Sequence, residues 1–197
     1  MTSYYPVFLN LSDQQVLLIG GGTVAFRKAR ALVRAGARVL AVSRDFSKAF
    51  LRFAKRHGVQ IRYGSMLPKT LNGICLVIAA TSDRELNHQI YERCKEKNIF
   101  VNVVDDPKHC TFIAPSILRR GPLQIAISTG GASPLLAKKL RQKLTEQFGS
   151  EYGELVRALQ KDRRRAKRSI SSAKDRRNHF QKMVASKLKV LERKHSR

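Results

Sequence analysis

The stretch from Val16 to Val42, "VLLIGGGTVAFRKARALVRAGARVLAV", leaves the chain few folds to choose from. The continuous apolar run Val16 to Ile19 reads as a parallel strand buried on both faces. Three glycines follow, then an amphipathic helix predicted from about Val24 to Arg34. Gly36 closes that helix in the position that tolerates left-handed geometry, and Arg38 to Val42 forms the next strand. Gly20, Gly22 and Ala25 fit the G-x-G-x-x-G/A spacing. The first glycine permits a tight turn, the second lets backbone N–H groups approach a pyrophosphate, and the small third residue lets helix and strand touch. The helix N-terminus adds the positive end of its dipole. Alone the spacing is weak evidence; between a buried strand and an amphipathic helix it points to a dinucleotide.

The alternation continues downstream. A short lead-in strand is expected at residues 4–9, "YYPVFL", ahead of the first buried strand. A helix is predicted from Lys48 to Arg56, then "VQIRYG", the buried strand "CLVIAAT", a helix "RELNHQIYERCKEKN" capped by Asp83, and a strand "IFVNVVDDP" ending at Pro107. Strands alternating with helices of this length describe a doubly wound parallel α/β sheet. After Phe112 the pattern changes to an antiparallel pair around "RRGP". "GGASP" then opens a helix with Ser133 as N-cap and Pro134 at its first position. Leu136, Leu140, Leu144 and Phe148 form an apolar stripe on that helix. A second helical pattern starts at Tyr152 and runs into "KDRRRAKRSISSAKDRRNH", a solvated helix face or a connector. Phe180, Met183, Val184, Leu188 and Leu191 mark a last amphipathic segment. The expected organisation is a Rossmann-like domain over 1–112, a small α+β region over 113–150 and a basic helical region over 151–197.

Charge narrows the partners. Lys and Arg outnumber Asp and Glu by 39 to 14, giving a formal net charge of +25. Residues 151–197 hold 16 basic and 5 acidic side chains, so the excess is spread along the chain rather than confined to a tail. Such a field suits a nucleic acid, an anionic membrane surface or a polyanionic small molecule. No apolar stretch is long enough to span a bilayer. The N-terminal residues lack the layout of a secretory signal, so a cytoplasmic location is expected. Cys75, Cys94 and Cys110 are odd in number and widely spaced, which argues against a disulfide framework or a structural zinc site. No cluster has metal-ligand spacing, so no metal site is expected.

The cofactor candidates are Gly20, Gly21, Gly22, Thr23, Val24, Ser43, Arg44 and Thr81. An acidic ribose ligand is missing at Ser43, and Arg44 would suit a 2′-phosphate, so these residues alone leave NADP open beside NAD. "NVVDDP" places Asp105 and Asp106 at the C-terminal end of a strand, where open α/β sheets bind ligands. On extended backbone the two carboxylates point opposite ways, so one faces the cleft; an Asx-type turn before Pro107 is the alternative. His109 beside them titrates in the neutral range when unperturbed. In "STGGASP", Ser128, Thr129 and Gly130 precede a helix start and suit a carboxylate or phosphate, or else only connect strand to helix.

Taken together, "PVFLNL", the glycine-turn stretch, "VIAATSDRELN", "VNVVDDP" and "IAISTGGASPLLAKKLR" resemble the precorrin-2 dehydrogenase family, the module that in sirohaem synthases also serves as sirohydrochlorin ferrochelatase. The resemblance runs in order from about Pro6 to Tyr152. It implies NAD-dependent oxidation of precorrin-2 to sirohydrochlorin, a homodimer made through the region after the Rossmann-like domain, and in some members Fe²⁺ insertion to give sirohaem. It matches Asp105 to the family's catalytic aspartate and places Ser128 in the family's serine segment; His109 is the weaker candidate, for orienting substrate. Members commonly use NAD without an acidic residue at the Ser43 position, which favours NAD here. With no methyltransferase region in these residues, precorrin-2 is expected from another protein. The substrate's rim of carboxylates accounts for a positive cleft, and nucleic acid and membrane are then not expected as partners. The competing reading is an NAD(H)-sensing module whose basic tail meets nucleic acid or a partner; it leaves "NVVDDP" and "STGGASP" without a role.

Overall fold

The computed structural model describes residues 3–65 and 68–195, in two compact units, 1–114 and 115–197. The first unit holds five parallel strands: β1 (Gln15–Ile19), β2 (Arg38–Ser43), β3 (Gln60–Tyr63), β4 (Leu76–Ala79) and β5 (Phe100–Val103), in the order β3-β2-β1-β4-β5. Helices α1 (Thr23–Arg34), α2 (Lys48–His57) and α3 (Arg84–Glu96) provide the crossovers. Both faces of the sheet carry apolar clusters. One joins Leu17, Ile19, Val77 and Val101 to Ile90 and Cys94 of α3. The other joins Val16, Leu18 and Ala41 to Ala25, Ala29 and Phe50 of α1 and α2. This two-sided burial explains the uninterrupted apolar runs of β1 and β4. The strand order reverses between β1 and β4, so the C-terminal ends of these strands frame a topological switch point, where such sheets bind ligands.

Two expectations in this unit need correction. Residues 4–9 form no strand, and Tyr5, Val7, Phe8 and Leu9 are exposed. Their apolar character supports a strand only if a neighbouring strand offers backbone partners, and the sheet pairs none with them. The strand expected through Asp105 ends at Val103. Asp105 takes a left-handed φ of 61°, and the N–H of Asp106 turns back to the carbonyl of Val103 at 3.3 Å. The alternation argument for Asp105 and Asp106 therefore does not apply. A 3-10 turn, Pro107–His109, follows at once.

In the second unit β6 (Ser116–Arg120) and β7 (Leu123–Ile127) pair antiparallel around Gly121 and Pro122. Helices α4 (Pro134–Gln147), α5 (Glu151–Ser169) and α6 (Ala173–His195) follow. The α5 helix packs against β6 and β7, and α6 against α5, so the division expected at residue 150 does not coincide with a boundary between compact units. The charged stretch is mostly helical, interrupted at Ile170–Ser172, where the Arg176 guanidinium donates to the Ile170 carbonyl at 2.7 Å. Asp162 and Lys187 bridge α5 and α6 at 3.3 Å. The α4 stripe is divided: Leu144 and Phe148 are half-buried, whereas Leu136 and Leu140 are exposed together with Leu135.

Candidate functional site

Four of the helices begin under a side-chain cap. Ser47 accepts the N–H of Phe50, Asp83 that of Leu86, Ser133 that of Leu136 and Ser172 that of Asp175. The α5 helix has no such cap but carries Glu151 and Glu154 in its first turn. The α1 helix is different: its N-cap is Gly22, which has no side chain to offer, and no acidic residue stands in its first turn. The leading N–H groups of a helix need acceptors, and here the chain leaves that role open. The glycines that build the turn have separate tasks. Gly20, at φ 121°, lies so close to the Ala80 carbonyl that a Cβ would collide with it, and a Cβ on Gly21 would collide with the Asp45 carbonyl. A Cβ on Gly22 would meet nothing within 4 Å. Gly20 and Gly21 are therefore glycines because the protein is dense there, and Gly22 faces open space. An uncapped helix start beside that space fits a pyrophosphate, which the N–H groups of Thr23 and Val24 would hold.

The other cofactor candidates fall around the same sheet edge. Ser43 ends β2 and Arg44 is exposed just beyond it. Thr81 follows β4, where its hydroxyl lies 2.8 Å from Oδ1 of Asn87 and accepts the N–H of Asp83 at 3.2 Å. Nδ2 of the buried Asn87 in turn donates to the Thr81 carbonyl at 3.1 Å. Thr81 thus organises the β4–α3 turn, and Asn87 is a polar core residue that sequence reasoning passed over; its signal is an amide on the buried face of an amphipathic helix.

The edge beyond β5 carries the titratable groups. Asp105 is exposed. Lys28 of α1 is half-buried, and burial is the main cause holding its ammonium below the usual lysine range, with Arg27 adding to it. The charges of Cys110 and Asp105 act in the opposite sense, so Lys28 lies within electrostatic reach of Asp105. The helix that starts at the glycine turn thus brings a cation to the end of β5. Asp106 does not stand apart as expected. Its Oδ2 lies 2.6 Å from Nδ1 of His109, and that hydrogen bond leads the causes that hold its carboxyl below the usual range. The His109 ring meets His88 and Tyr91 of α3 edge to face, with centroids 4.8 and 5.1 Å away. The Cys110 thiol accepts the N–H of Val103 at 3.2 Å, and burial raises it above the usual thiol range. Sequence reasoning missed Lys28 and the pairing of Asp106. Among the described residues no group of three His, Cys, Asp or Glu side chains could hold a metal ion, and no helix is long and apolar enough to cross a membrane.

Ser128, Thr129 and Gly130 belong to the second unit. The Ser128 hydroxyl accepts the N–H of Gly130 at 3.1 Å and the Thr129 hydroxyl that of Ser133 at 3.0 Å. Both hydroxyls shape the loop while their own protons stay available to an anion.

The sheet order, the glycine turn and the uncapped α1 define a Rossmann-type dinucleotide-binding domain. Comparison with known proteins agrees. The NAD(P)-binding family model matches residues 7–116, and the central model of the sirohaem biosynthesis proteins matches residues 120–147. The chain belongs to this NAD(P)-binding family. It is 39% identical over 188 residues to siroheme synthase of Photorhabdus laumondii subsp. laumondii, covering 95% of this chain and 40% of that protein. It is 42% identical over 183 residues to siroheme synthase 2 of Aeromonas hydrophila subsp. hydrophila, covering 93% and 38%. The chain thus spans about two fifths of the length of these curated relatives. Among solved structures it resembles SirC, a precorrin-2 dehydrogenase, with a TM-score of 0.78 and 25% identity over 92% of this chain and 89% of that one. The likeness extends past Tyr152 into α5 and α6, further than the motifs alone carried it.

Proposed function

We propose that this protein oxidises precorrin-2 to sirohydrochlorin with NAD as the acceptor, on the path to sirohaem. The observation that carries the proposal is the meeting, at one edge of the parallel sheet, of an uncapped helix start at Gly22 and an exposed carboxylate at Asp105. When bound, the nicotinamide supplies the two-electron acceptor. The protein must then hold the pyrophosphate and take up the proton that leaves as conjugation extends. The N–H groups after Gly22 do the first. Asp105 does the second, with Lys28 as its counter-charge and a backbone held in a conformation that non-glycine residues adopt rarely. Such outliers collect at working sites, although Asp13 and Asn98 share the positive φ in ordinary turns.

Ser128, Thr129 and Gly130 are proposed to hold a carboxylate of the macrocycle, drawn in by the positive field of a chain carrying +25. The biosynthetic reading is favoured over a sensor module because it gives both acidic and serine motifs a task. The finer proposals are a cytoplasmic homodimer, formed through the second unit, and a second activity in which Fe²⁺ enters as a substrate while Asp105 collects pyrrole protons. The deciding experiment is anaerobic turnover of precorrin-2 with NAD⁺, followed as NADH, and then with Fe²⁺ added. NADH formation is the expected result; its absence in a folded, NAD-binding protein would remove the dehydrogenase assignment.

A further inference from the structure

We infer that Asp106 is a positioning residue that fixes the tautomer of His109, leaving Nε2 of that ring as a second proton-accepting atom on the loop that carries Asp105. The pair is closed by two bonds across one 3-10 turn. Nδ1 of His109 lies 2.6 Å from Oδ2 of Asp106, and the His109 backbone N–H donates to the Asp106 carbonyl at 3.2 Å. The hydrogen bond with His109 holds the Asp106 carboxyl below its usual range, so near neutrality it is ionised and only accepts. Nδ1 must then carry the proton. A neutral imidazole has one donor and one acceptor, so the lone pair sits on Nε2. In water a neutral histidine carries its proton mostly on Nε2, so the arrangement reverses the ordinary preference.

The ring is also held from the side. His88 and Tyr91 of α3 pack edge to face against it. The titratable and charged groups facing the pair are these two from α3, Cys110 next along the loop, and Lys28 from α1, which faces Cys110 and Asp105. A carboxylate that orients an imidazole without touching substrate is a device for delivering one nitrogen, in one protonation state, to a reaction. The proton that Nε2 receives rests on the dehydrogenase reading; the tautomer does not.

The test reads the two separately. In the full chain labelled with ¹⁵N-histidine, at roughly pH 8.5 where an ordinary imidazole is neutral, the His109 signals should report a protonated Nδ1. Asp106→Ala should move the proton to Nε2, and Asp106→Glu should keep it on Nδ1. In precorrin-2 oxidation Asp106→Ala should lower kcat on the order of 10²-fold with the KM for NAD⁺ unchanged, and Asp106→Glu should restore part of it. Because Asp106 acts through His109, the double variant with His109→Ala should lose no more than the single variants. A native His109 protonated on Nε2, an unmoved tautomer in Asp106→Ala, or additive losses in the double variant would each overturn the inference. A protonated Nδ1 in a native chain without precorrin-2 turnover would support the pairing and remove the dehydrogenase reading instead.

Discussion

The backbone N–H of Ser47 donates to the carbonyl of Gly21 at 3.0 Å, tying the glycine turn to the loop that opens α2. Ser47 caps α2 as well, and Asp45 of the same loop closes over Gly21. The turn therefore has its shape before any ligand arrives, and two adjacent glycines should respond to substitution in opposite ways.

Gly21→Ala places a methyl group against backbone that cannot swing aside, and should destabilise the protein by about 1–3 kcal/mol. Gly22→Asp meets open space, so the protein should fold, while bulk and negative charge exclude the pyrophosphate. Thermal melts and NAD⁺ calorimetry on both variants distinguish the effects. Unchanged NAD⁺ affinity in a folded Gly22→Asp variant would remove the cofactor from this turn.

Asp105→Asn tests the proton acceptor. Asparagine tolerates the left-handed backbone that Asp105 adopts, so the fold should be kept. The rate of NADH formation should fall on the order of 10²- to 10⁴-fold, with NAD⁺ affinity unchanged. A variant that turns over at the native rate would show that the carboxylate is not the base. Loss of iron insertion in the same variant would assign both reactions to one carboxylate.

Cys94 gives a test of the core. Burial pushes its thiol up to about 12, from an ordinary value of 9.0. The folded state thus keeps a proton that the unfolded chain releases above pH 9, and this contribution to stability is present below that pH and lost progressively up to about pH 12. Denaturant midpoints measured from pH 8 upward should fall, and replacing Cys94 with Ala should flatten this part of the profile. Native protein should resist alkylation at Cys94 until it unfolds.

Leu136 and Leu140 address assembly. Both are exposed on α4 beside Leu135. If the second unit forms the proposed homodimer through this helix, Leu136→Glu with Leu140→Glu should shift sedimentation toward monomer without loss of helical content. Dimers that persist at low micromolar concentration would place the contact elsewhere.

Much of the first unit was legible because two-sided burial writes itself into the sequence as unbroken apolar runs, and because Asp83 and Ser133 stand where capping chemistry demands them. The segment at residues 4–9 was misread for the converse reason: apolar residues carry strand propensity, but a strand needs a partner. Placement after β5 pointed to Asp105 and Asp106 alike, and only the resemblance singled out Asp105, whereas one left-handed residue was enough to undo the reasoning about Asp106. Its pairing with His109 depends on the 3-10 turn that follows. Lys28 reaches Asp105 across 77 positions of sequence, a proximity that only the packing of α1 on the sheet creates. Ser128 and Thr129 were singled out by their place before a helix start, and their bonds to Gly130 and Ser133 show that they hold the loop.

A ligand that completed the bare start of α1 would couple its own binding to folding. The starts of α2, α3, α4 and α6 are capped by side chains of the chain itself, whereas α1 has neither a side-chain cap nor an acidic residue in its first turn. A dinucleotide bound there belongs to the architecture as much as to the chemistry. Saturation at about 100 times Kd would stabilise the fold by roughly 2.7 kcal/mol through mass action. A cell short of the dinucleotide would then hold a protein that is easier to unfold and degrade, so its lifetime would follow the supply of that ligand.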